Sequence, residues 1–86
     1  MAMNDETGSM PEITLKVDAS GLKCPMPVIR AKKGISSVAV GQAIELLATD
    51  PGAMADFKAW TRSTGHELVI AEQHGEVLRF VIRRLQ

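Results

Sequence analysis

With 86 residues the chain has room for one domain, and its 10 acidic and 10 basic side chains leave it without net charge. That balance speaks against a general nucleic-acid binder, which shows a basic excess. A single cysteine closes no intramolecular disulfide, which excludes a disulfide-stapled secreted domain. No apolar run approaches the roughly 18 residues that a membrane-spanning helix needs. The first ten residues, "MAMNDETGSM", have neither the basic nor the apolar region of a signal peptide, so a cytoplasmic protein is expected. They read as a disordered leader, about residues 1–12, ahead of a folded domain over 13–86. Hydrophobic residues make up 45% of the chain, yet its only aromatics are Phe57, Trp60 and Phe80, so the core must be largely aliphatic.

The first element is "ITLKVD", in which Ile13, Leu15 and Val17 alternate with Thr14, Lys16 and Asp18 as in a half-buried strand. From Pro25 to about Val38 the apolar residues Val28, Ala31, Ile35 and Val38 recur at helical spacing, with Gly34 a weak point costing roughly 1 kcal/mol relative to Ala. A second strand follows from Ala43 to Thr49. Asp50-Pro51-Gly52 supplies turn chemistry ahead of a helix carrying Met54, Phe57 and Trp60 or Thr61 on one face, with Gly65 as its C-terminal cap. Glu67–Gln73 and Glu76–Arg84 read as two strands joined by a tight turn at His74-Gly75. In the last strand Leu78, Phe80 and Ile82 face one way, while Arg79, Val81 and Arg83 face the other, taken as solvated. Arg79, Arg83 and Arg84 then read as solubilising charges on the far side of the sheet. The order is βαβαββ. Right-handed crossovers put both helices on one face of a mixed four-stranded sheet, giving an α+β fold, a two-layer α/β sandwich.

The chemistry concentrates at "GLKCPMPVIRAKK", residues 21–33. Proline is favoured at the first helical position, where its missing N–H would have lacked a partner anyway. With Pro25 there, Cys24 becomes the N-cap and Pro27 the third helical residue. The positive end of the helix then favours thiolate, and Lys23, Arg30, Lys32 and Lys33 add a basic field, so a lowered Cys24 pKa is expected. The two prolines also make the thiol's setting rigid. A lone cysteine is more often a buried, inert hydrophobe, but Lys23 and Pro25 as neighbours argue against an apolar burial here.

Other chemistries fit less well. Cys24 and Arg30 match the C-x5-R spacing of cysteine-dependent phosphatases, yet such a loop needs backbone N–H groups around the phosphate, and Pro25 and Pro27 remove two of them. One cysteine with His66 and His74 has no metal-ligand spacing, so no metal site is expected. No glycine-rich phosphate loop is present. With no second thiol to resolve a disulfide, any redox or sulfur-transfer cycle needs an outside partner.

"DASGLKCPMPVIRAKK", followed by "LLATDPGAMADFKAWTRSTGHEL" and a strand ending "FVIRR", resembles the TusA/SirA-like family of bacterial sulfur carriers over about Ile13 to Arg84. The resemblance implies a sandwich like the C-terminal domain of a bacterial translation initiation factor. It implies that Cys24 carries sulfane sulfur as a persulfide, with no cofactor, and that Pro25 and Pro27 are the prolines of the motif. Asp18, Gly21 and Leu22 match its lead-in, and Asp50 and Asp56 fall on its acidic positions after the second strand. It further implies a sulfur donor such as a cysteine desulfurase or a rhodanese, and an acceptor such as a DsrE-type protein, in tRNA thiolation, cofactor synthesis or sulfur oxidation. The chain would be a carrier with sulfurtransferase-type chemistry rather than an independent enzyme. Lys23, Arg30, Lys32 and Lys33 would steer acidic partner surfaces. A monomer is expected, since one site must face several partners, with no membrane association and no stable nucleic-acid binding. The alternative is an RNA- or protein-binding module with a non-catalytic cysteine, weakened by the lack of stacking aromatics on the predicted outer sheet face.

Overall fold

In a computed structural model, residues 11–86 are described. Most of the expected leader therefore lies outside the described residues. Six elements follow in the expected order: β1 (Ile13–Ala19), α1 (Met26–Ser36), β2 (Ala43–Ala48), α2 (Ala53–Thr64), β3 (Glu67–His74) and β4 (Val77–Arg83). No helix among them is long and apolar enough to cross a membrane.

The sheet order is β1-β2-β4-β3, with β1 parallel to β2 and the other neighbours antiparallel. β1 alternates between half-buried and exposed residues as its sequence does. Both helices lie on one face, touching each other, α1 over β1 and β2 and α2 over β3 and β4. Between the layers lies a core of Ala31, Ile35, Val38, Ile44, Leu46, Phe57, Leu78, Phe80 and Ile82. The scarce aromatics gather there. Phe57 stacks on Phe80 with ring centroids 4.4 Å apart, and Trp60 meets Phe57 edge-on. Such a pair contributes about 0.5–1.5 kcal/mol beyond the area it buries.

At Gly34 the helix lies close on the sheet. A Cβ placed there would lie 3.3 Å from Leu15 Cδ2 and 3.4 Å from both Val17 Cγ2 and Ile44 Cδ1. The glycine costs helix propensity but lets α1 settle onto β1 and β2.

Four details depart from the sequence expectations. α1 begins at Met26, one residue later than expected: the Pro25 carbonyl accepts the first helical bond from Ile29 N–H (3.1 Å), which makes Pro25 the N-cap and Pro27 the second helical residue. The hairpin turn falls on Gly75-Glu76, because β3 runs on to His74, which pairs with Val77. The arginine-bearing face is not simply solvated. Arg79 pairs with Glu45 at 2.6 Å and Glu72 at 3.3 Å, Arg83 with Glu67 at 3.2 Å, and Val81 between them is fully buried. Arg84 is not a solubilising charge either. Its guanidinium donates to Val38 O (2.6 Å) and Ile35 O (3.4 Å), capping the chain just past the end of α1, while its own backbone pairs with Gly41 and Gln42.

Candidate functional site

β1 and β2 are adjacent and parallel, so the loops leaving their C-terminal ends sit side by side, and each leads into a helix. Ligand sites in α/β sheets collect at such carboxyl ends. The first loop is tied down by Asp18, whose Oδ1 accepts the Ser20 N–H at 3.0 Å, a turn typical of Asp. The Ser20 side chain and amide hold the Asp18 carboxyl below the usual range. Gly21 takes the left-handed conformation (φ 79°) that only glycine adopts without strain, and its N–H donates to Thr49 Oγ1 of the second loop at 2.9 Å.

Cys24 follows, exposed, two residues before the first helical position. Its N–H donates to Asp50 Oδ2 (3.3 Å), a second tie between the loops, and the Cys24–Pro25 peptide bond is cis. Met26 N–H closes a turn onto Lys23 O (2.9 Å), and Pro27 is fully buried under the thiol's loop. Pro27 thus anchors in the core the segment that Cys24 presents to solvent.

The second loop brings two carboxylates. Asp50 O accepts Ala53 N–H (3.0 Å), opening α2, and Asp56 sits in its first turn. A Cβ on Gly52 would lie 3.5 Å from Asp50 Oδ2 and 3.9 Å from Asp56 Oδ2, ordinary contact distances, so Gly52 sits against both acids.

The expected thiolate is therefore overturned. The Asp56 carboxylate, as a hydrogen-bond acceptor for the thiol, pushes the Cys24 pKa up, and partial desolvation and the negative charges of Asp56 and Asp50 act in the same direction. The cause is opposite in sign to the one the sequence suggested: two anions reach the sulfur, and the helix starts too late for Cys24 to be its cap.

The structure unites Cys24, Pro25, Pro27, Asp50 and Asp56 in one site, with Asp18 and Gly21 shaping its approach. It does not gather the basic residues around the sulfur. Lys23, Arg30, Lys32 and Lys33 are exposed and pair with no carboxylate among the described residues, and Arg30 and Lys33 line a groove beside β1. That placement disfavours the C-x5-R phosphatase geometry. The outer sheet face carries Glu45, Glu67 and Glu72 against its arginines, a poor surface for RNA. Sequence reasoning missed Thr49 and Gly52. Thr49 shows only as a polar residue closing an apolar strand, and Gly52 reads as ordinary turn chemistry.

Comparison with known proteins identifies the family. The family model described as Sulfurtransferase TusA matches residues 15–84, so the chain belongs to the TusA family. The sulfur carrier protein TusA of Allochromatium vinosum is 40% identical over 75 residues, 87% of this chain and 99% of that one. YrkF of Bacillus subtilis is 44% identical over 75 residues, again 87% of this chain, but the match spans only 40% of YrkF. A crystal structure of a SirA-like protein from Desulfitobacterium hafniense superposes with a TM-score of 0.72 over 84% of this chain and 99% of that one, at 24% identity, and shares the fold. These relatives support a sulfur-carrier role.

Proposed function

We propose that Cys24 accepts sulfane sulfur as a persulfide and passes it to the thiol of a partner protein. The observation that carries this reading is a lone, exposed thiol at the junction of two loops pinned together by Asp50 and Thr49.

The chemistry follows from thiol exchange. The free thiol is held protonated, which keeps it unreactive toward stray electrophiles between encounters. When a donor persulfide docks, Asp56 is placed to take the Cys24 proton. The sulfur attacks the donor's outer sulfur, one S–S bond forms and one breaks, and the donor thiolate leaves. In the second half an acceptor thiolate attacks the outer sulfur of Cys24-S-SH, and Cys24 leaves as a thiolate and takes up a proton from solvent. A high thiol pKa also makes the thiolate, once formed, the stronger nucleophile. No cofactor enters either step.

A cysteine desulfurase or a rhodanese fits as donor and a DsrE-type protein as acceptor, with the basic residues Lys23, Arg30, Lys32 and Lys33 meeting acidic partner surfaces. The test is a two-step transfer. The protein is loaded by a desulfurase with L-cysteine, separated from it and mixed with an excess of reduced acceptor thiol, with sulfane sulfur measured by cyanolysis. Sulfur should load one per chain and leave with the acceptor, and Cys24→Ser should carry none; loading that persists in Cys24→Ser contradicts the reading.

A further inference from the structure

The two edges of the sheet are unlike. At the β3 edge, Glu67 and Glu72 are joined to Arg83 and Arg79 of the neighbouring strand. At the β1 edge, Lys16 pairs with no carboxylate among the described residues. Beside β1 runs a groove of about 540 Å³, with a floor of Leu15, Val17 and Gly34 and a lip of Arg30, Lys33 and Ser37. Positions 30, 33 and 34 form one stripe of α1, at the spacing that puts them on a single side of the helix, and Ser37, its C-cap, follows them. Gly34 lets the floor lie close under that stripe.

We propose that this groove and the edge of β1, which has β2 as its one strand neighbour among the described residues, take an extended acidic–aliphatic segment of a partner protein as a fifth strand. An edge strand offers a row of unpaired N–H and C=O groups, and an added strand satisfies them while its alternate side chains fill the adjoining pockets. β1 pairs regularly with β2 from Leu15 to Ala19, so this stretch is extended and in register. The acidic residues of the incoming strand would face the helix side, their methylene stems over Leu15 and Val17 and their carboxylates at Arg30 and Lys33, while its aliphatic residues, one position along, would fall on the opposite face. Charge also argues against a second copy of this chain as the occupant: pairing two β1 edges would bring two sets of Arg30 and Lys33 together. The site lies along α1 toward its C-terminal end and does not include Cys24, so it goes beyond the sulfur-carrier reading.

The experiment is an amide chemical-shift titration of the full chain with three N-acetylated seven-residue peptides, the length of β1. One alternates Glu and Val, one alternates Lys and Val, and one is the acidic peptide with every second amide N-methylated. The acidic peptide should shift the amides of Leu15–Ala19 and Arg30–Ser37. It should bind at least tenfold more weakly to the exposed double variant R30E/K33E and unchanged to Cys24→Ser. The lysine and N-methylated peptides should bind at least tenfold more weakly than the acidic one. Equal binding of the lysine peptide, equal binding of the methylated peptide, or shifts confined to other residues would overturn the proposal. So would self-association of the free chain through β1, which makes a second copy the occupant, or binding seen only after removal of residues 1–10, which makes the occupant the chain's own terminus.

Discussion

Cys24 is governed by residues far from it in sequence. Its neighbours, Lys23 and the prolines, suggest an electropositive thiol, but the groups that reach it are Asp50 and Asp56, brought in from the loop and helix after β2. The thiol pKa is raised, so alkylation by iodoacetamide, followed against pH, should have its midpoint above that of free cysteine. Asp56→Asn removes the nearer charge and replaces the carboxylate acceptor by a weaker, neutral amide oxygen. It should lower that midpoint and speed alkylation at pH 7 several-fold, through a larger thiolate fraction. A variant that alkylates more slowly would show that Asp56 does not hold the proton. His66 is the second residue whose environment decides its charge. Its Nδ1 accepts the Leu85 N–H (3.2 Å), and burial with the nearby Arg84 charge holds its pKa below the ordinary value. A base with a lowered folded pKa adds stability that is complete above the unfolded value of about 6.5 and lost as pH falls through the folded one. Urea midpoints of the wild type should drop across that window, and His66→Gln should flatten this part of the slope.

At the level of elements, the sequence was most informative where a local period reports a local face. The alternation of Ile13 to Asp18 became β1, and Ala31 and Ile35 lie on the buried side of α1 as their spacing predicts, with Val38 buried just past the helix end. Boundaries set by hydrogen bonds were less legible. The start of α1 depends on which carbonyl accepts Ile29 N–H, and the hairpin on one further pair, His74 with Val77. Arg84 was misread because its acceptors, Ile35 O and Val38 O, lie 46 to 49 positions away, and nothing in "FVIRRLQ" shows them. Arg84→Ala should therefore cost about 1.5–3 kcal/mol, as hydrogen bonds from a charged donor do, measured by urea unfolding. Gly34 shows two opposing effects at one position. Gly34→Ala should lie within about 1 kcal/mol of wild type, since helix propensity and crowding against Leu15, Val17 and Ile44 pull in opposite directions. Gly34→Val should destabilise by about 1–3 kcal/mol, because its branched side chain has no space to enter.

Over the whole molecule, the parallel pair β1 and β2 places two loop-to-helix junctions side by side, and the antiparallel pair β3 and β4 completes the sheet beneath both helices. The thiol sits at one end of this arrangement, and the groove beside β1 runs toward the other. A small domain can in this way separate the atom that carries the cargo from a surface that selects partners. The central claim is that the cargo is a single sulfur atom on Cys24. Intact-mass spectrometry after incubation with a cysteine desulfurase and L-cysteine, or with a rhodanese and thiosulfate, tests it most directly. The account predicts a gain of one sulfur, mapped to the peptide containing Cys24, removed by dithiothreitol and absent from Cys24→Ser. A wild-type chain left unmodified by donors that load a known carrier in parallel would contradict it.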